Sequence, residues 1–94
     1  MKFGDFKEAL KARAQLAKLQ RELKKLRVSA EAQGGKVKLV MDGTGEVKEI
    51  EIDDELLDPK KKKVLKKALV HVYNKAREDL ARMTSDKLRD LMSF

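Results

Sequence analysis

Residues 37–52 read VKLVMDGTGEVKEIEI, and the fold turns on this stretch. Val37, Leu39 and Met41 stand at every second position, the period that turns apolar side chains to one face of a strand. Asp42-Gly43-Thr44-Gly45 then supplies glycines where a tight turn needs positive φ, and Val47, Ile50 and Ile52 follow. The stretch is expected to be a β-hairpin. Val47 is out of phase with Ile50 and Ile52, so a bulge near Lys48 and Glu49 is expected.

Upstream, Val28, Ala30 and Ala32 alternate with polar residues as far as the Gly34-Gly35 pair, which predicts a third strand and a turn. From Asp5 to Leu26 the period changes: Ala12, Leu16, Leu19, Leu23 and Leu26 recur at steps of four and three, close to a coiled-coil seam. A helix of this length reaches about 33 Å at roughly 1.5 Å per residue, more than the width of a three-stranded sheet. Its far end is expected to lack a covering layer within its own chain. Downstream, Asp58-Pro59 is a strong helix start, because aspartate caps amides and proline at the first position loses no hydrogen bond. Leu65, Leu69, Val72, Ala76, Leu80 and Met83 keep one apolar face, with Leu88 and Leu91 extending it past an allowed break near Thr84-Ser85. The reading is α+β: a long N-terminal helix, a three-stranded antiparallel sheet and a long C-terminal helix, as one domain over residues 1–94.

The 94 residues carry a net charge of +7, with 41% charged and 41% hydrophobic residues. That is too apolar for a disordered tail and too polar for a large core. The charge is sorted along the chain: residues 1–27 hold nine Lys/Arg against three acids, 28–58 hold three against nine, and 59–94 hold eleven against four. Basic ends around an acidic middle attract polyanions to the ends. Abundant Lys and Glu with no cysteine also resemble heat-adapted composition. The missing cysteine excludes disulfides and thiolate chemistry and fits a reducing cytoplasm. No apolar run has signal-peptide or membrane-spanning length, so a soluble, unprocessed chain is expected.

On the first helix Lys7, Lys11, Lys18, Arg21 and Lys25 recur at three, four or seven and form a basic stripe. Lys60, Lys61, Lys62 and Lys63 are expected in the first turn of the second long helix, where the dipole disfavours cations. Four ammonium groups beside free helical amides suit a phosphate; the bland alternative is a solvated run partly neutralised by Asp53, Asp54, Glu55 and Asp58. Lys75, Arg82 and Arg89 recur every seven residues and continue a stripe. Such contacts bind phosphates through counterion release and read little base identity. The aromatics are Phe3, Phe6, Tyr73 and Phe94, none set among basic residues in a strand, so duplex DNA is favoured over base-stacked RNA.

Catalysis is the weakest class. His71 is the sole histidine, which leaves a metal cluster or hydrolytic triad without partners, and no cofactor is expected. Asp42, Glu46, Glu49, Glu51 and Asp53 surround the hairpin and are read as solvating its outer face rather than as an acid/base pair or ion site. The 42–45 loop lacks the lysine and following helix of a phosphate-binding P-loop.

The element order, with the run Asp42-Gly43-Thr44-Gly45-Glu46-Val47-Lys48-Glu49-Ile50-Glu51-Ile52-Asp53-Asp54-Glu55-Leu56-Leu57, resembles the YbaB/EbfC family of bacterial nucleoid-associated proteins. Asp42 stands where that family usually has asparagine; Leu69, Val72, Asn74 and Ala76 match its pattern in the last helix, and its Gly/Met-rich N-terminal stretch is missing here. The resemblance implies a tweezer-like homodimer whose sheets form the core and whose helices project, with double-stranded DNA between or along them. It makes Lys7, Lys11, Lys18, Arg21 and Lys25, with Lys75, Arg82 and Arg89, candidate phosphate contacts, and it places the protein on the nucleoid. The chief rival is a protein-interaction module, its coiled-coil-like helix pairing with a DNA-repair or replication partner. Attachment to anionic membranes is disfavoured, since the basic faces carry few large insertable apolar residues.

Overall fold

The structure, a computed structural model, describes residues 3–92. Phe94, weighed above as an aromatic, lies outside the described residues, as do the side chains of Phe3 and Leu91. Helix α1 spans Phe3–Lys25, strands β1, β2 and β3 span Arg27–Ala32, Val37–Asp42 and Val47–Ile52, and helix α2 spans Lys62–Met92. The strands form one antiparallel sheet in the order β1-β2-β3.

Pairing follows the alternation. Val28, Ala30 and Ala32 oppose Met41, Leu39 and Val37, which puts six apolar side chains on one face. On the other side of β2, Val37 faces Ile52 and Leu39 faces Ile50, but Met41 faces Val47, because Lys48 is the extra residue of a bulge. The bulge restores the phase of Val47, where the sequence pattern located it. The opposite face is polar apart from Val40, with Ser29 and Glu49 flanking that valine in one row and Glu31, Lys38 and Glu51 in the next.

Helix α2 covers the apolar face through Ala68, Val72 and Ala76, whose small side chains let the backbone come close. Together with Val28, Ala30, Val37, Leu39, Met41 and Leu56 they are the core. The helix packs on β1 and β2, so β3 lacks cover and leaves Val47 37% and Ile50 49% exposed.

Two expectations change. Helix α2 runs unbroken through Thr84 and Ser85, since the segment has no proline or glycine and Thr and Ser cost only a few tenths of a kcal/mol there. The helix also starts later than Asp58-Pro59 suggested. Pro59–Lys61 is a 3-10 turn, so only Lys62 and Lys63 of the lysine run enter α2.

Candidate nucleic-acid interface

The arm is held to the sheet at one end. Where α1 stops, Leu23 O accepts from Gly43 N–H at 2.8 Å and from Leu26 N–H at 3.1 Å, while Arg27 donates to Lys24 O at 2.7 Å. These bonds satisfy carbonyls that a helix end leaves without partners. Gly43 is required there by proximity: a Cβ would lie 2.5 Å from Leu23 O. Gly45, at φ +89°, is the glycine that the turn itself demands.

The turn is organised by Asp42, which is fully buried rather than solvating the outer face, a correction to the sequence reading. Its Oδ1 accepts from Thr44 Oγ1 at 2.5 Å, Thr44 N–H at 2.8 Å and Glu46 N–H at 3.2 Å. The Thr44 hydroxyl bond is the main cause that holds the Asp42 carboxyl below its ordinary range. Oδ2 is buried without a hydrogen bond, 3.8 Å from Lys48 Nζ.

Beyond this junction α1 leaves the body, and the molecule measures 66 × 25 × 18 Å. Leu19, Leu23 and Leu26 share an apolar groove with Leu80, Met83 and Leu88 of α2. Further out the seam lies open, with Leu16 62% exposed. Lys7, Lys11, Lys18, Arg21 and Lys25 are all exposed on another side of the same helix. The last four make no ion pair with any described residue.

The lysine run is divided. Asp58 accepts from Lys60 N–H through its carboxylate at 2.9 Å and from Lys61 N–H through its carbonyl at 2.8 Å, so those amides are already taken. Lys61 turns back to Glu55 at 3.2 Å, and Glu55 also accepts from Lys36 at 2.6 Å. Hydrogen bonding from Lys36, then from Lys61, lowers the Glu55 pKa. Lys60, Lys62 and Lys63 are exposed. Along α2, Lys75 reaches Asp79 at 3.2 Å, Arg82 reaches Glu78 at 3.7 Å and Asp79 at 3.9 Å, and Arg89 is exposed. Exposed pairs of this kind contribute about 0–1 kcal/mol and exchange readily for phosphates.

Sequence reasoning did not count Lys66, Lys67, His71 or Asn74 among the DNA contacts, and they border one shallow concavity with Lys75 on the outside of α2. The 67-71-75 spacing of four was present in the sequence as the signal. Among the described residues no group of three His, Asp or Glu is placed to hold a metal ion, and no helix is long and apolar enough to cross a membrane.

The sequence profile of the YbaB/EbfC DNA-binding family matches residues 2–93. A nucleoid-associated protein of Rhodospirillum rubrum is 33% identical over 85 residues, which are 90% of this chain and 79% of that protein. A nucleoid-associated protein of Coxiella burnetii is 37% identical over 82 residues, 87% of this chain and 74% of that one. The crystal structure of an uncharacterized Helicobacter pylori protein has a similar fold, with a TM-score of 0.79, 20% identity and 99% of each chain covered.

Proposed function

This chain belongs to the YbaB/EbfC DNA-binding family, which is not a family of enzymes, and from that premise we propose that it is a nucleoid-associated protein that grips duplex DNA by its phosphates. The carrying observation is the stripe Lys7, Lys11, Lys18, Arg21 and Lys25 on an arm tethered to the body at one end. Lys60, Lys61, Lys62, Lys63, Lys75, Arg82 and Arg89 add cations along α2 and the turn before it. Ammonium and guanidinium groups on helix surfaces bond phosphate oxygens and leave base edges unread, which makes sequence preference low and the role structural or regulatory.

The working unit is a homodimer of 1–94 domains, tweezer-like in outline. What supports this is apolar surface that one chain leaves open: Val47 and Ile50 on edge strand β3, and Leu16 on α1. A second copy covers these surfaces, so they are not assigned to an unrelated protein partner. The names of the relatives support a nucleoid location.

Gel-shift competition with unrelated duplexes, run across a salt series, tests the reading. With about 6 to 10 phosphate contacts, affinity falls roughly 10³ to 10⁵-fold between 50 and 200 mM salt. Lys18→Glu/Arg21→Glu/Lys25→Glu weakens binding to every duplex alike; undiminished binding by this variant rejects the α1 stripe as the site.

A further inference from the structure

We infer that the chain carries a second, independent DNA-binding face, formed on the outside of α2 by Lys66, Lys67 and His71 with Lys63 and Lys75, and that this face holds a different duplex segment from the one on α1. The inference rests on the DNA-binding reading and extends it from binding to bridging.

The first support is local. Lys66, Lys67, His71, Asn74 and Lys75 border one open concavity, so several donors converge on a surface a phosphate backbone can reach. Lys63, Lys66, Lys67 and His71 are exposed and make no ion pair with a described residue. Glu78, the acid at the far edge, lies 3.7 Å from Arg82.

The second support is direction. From the junction at Gly43, α1 runs backward and α2 runs forward along the same groove, so the helices are antiparallel. At about 100° per residue, the α1 stripe and the α2 cluster each lie roughly 120° round their helices from the groove. The stripe is reached by turning one way from the groove and the cluster by turning the other, and on antiparallel helices rotations of opposite sense end on opposite sides of the molecule. Ala68, Val72 and Ala76 turn the other side of α2 to the sheet, so by the same wheel the α2 cluster points away from the sheet and the α1 stripe toward the side that the sheet's outer surface takes.

The third support is what lies between them. A duplex leaving the α1 stripe toward the body meets the outer face of the sheet, where Glu31, Glu49 and Glu51 outnumber Lys38 and leave a net negative surface. To touch both clusters, one duplex would have to turn back around a body whose smaller extents are 25 and 18 Å. DNA is stiff over roughly 150 bp, so two segments, one on each face, is the arrangement of lower cost.

Co-capture tests this with the full chain. A biotinylated duplex is held on beads, a fluorescent duplex of unrelated sequence is in solution, and protein is added at concentrations that saturate a single duplex in a parallel gel shift. Wild type is expected to retain the fluorescent duplex on the beads. Lys66→Glu/Lys67→Glu, with helix content checked by circular dichroism, still saturates a single duplex but retains about tenfold less of the second one. Equal co-capture by this variant overturns the inference, because bridging then comes from paired copies of the α1 stripe. Co-capture that falls only in step with single-duplex affinity overturns it too, because both clusters then serve one segment. Wild type that binds a duplex without co-capture sinks bridging and leaves DNA binding standing, whereas no duplex binding at all removes both readings.

Discussion

A Cβ placed on Gly43 would meet the Leu23 carbonyl oxygen at 2.5 Å, and backbone atoms on both sides leave neither partner free to swing aside. Gly43→Ala is therefore expected to cost about 1–3 kcal/mol, in the range of overpacked sites, and to loosen α1 from the hairpin. Urea unfolding measures the first effect, and faster amide exchange at Leu26 and Gly43 the second. Asp42 gives the fold an acid limb. Its carboxyl is held below the ordinary 3.8 chiefly by the Thr44 hydroxyl, and Glu55 is held below 4.5 chiefly by Lys36. With folded values below unfolded ones, their contribution is complete above the unfolded values and disappears as pH falls through the folded ones. Thermal midpoints should thus drop below about pH 4, and the drop should be shallower in Asp42→Asn. A decline of unchanged steepness in that variant would remove Asp42 from the account.

Helix α2 is one element from Lys62 to Met92, although the sheet spans only its first half. Past the sheet it keeps its apolar side, and Leu80, Met83 and Leu88 line one groove with Leu19 and Leu23 of α1 and with Leu26 just beyond that helix. Thr84 sits exposed in a helical interior. Thr84→Ala should accordingly raise stability by about 0.5 kcal/mol, the difference in helix propensity, as read from the urea midpoint. A helix broken at this point would gain nothing. The lysine run shows how an element boundary redirects charge: the 3-10 turn at Pro59–Lys61 gives two amides to Asp58 and sends the Lys61 side chain back to Glu55.

At the scale of the molecule, uncovered apolar surface and sorted charge make separate demands. Val47 and Ile50 protrude on an edge strand, so light scattering should give the mass of two chains. Ile50→Glu should halve it while leaving the fold of each chain intact, since surface substitutions stay within about 0.5 kcal/mol. A wild-type mass of one chain would end the dimer proposal. The charge map has also become more specific than basic arms around an acidic hub. Three of the acids, Glu31, Glu49 and Glu51, sit on the outer face of the sheet, and part of the lysine of the third segment lies across the body on α2, on the other side from them.

Period and turn chemistry were enough to write down the helix, three antiparallel strands, their bulge and the second helix, because each reflects the local spacing of side chains along one backbone. The α1 stripe was legible for the same reason: it belongs to a single helix. Three features were decided only in three dimensions. The need for glycine at position 43 comes from Leu23, which is twenty residues away in sequence. The full burial of Asp42 is visible only in the folded chain, whereas its sequence neighbours suggested solvent. The opposition of the two cationic faces depends on how two helices pack across a groove. Local pattern fixes which side of an element a residue occupies, and tertiary packing fixes where that side points.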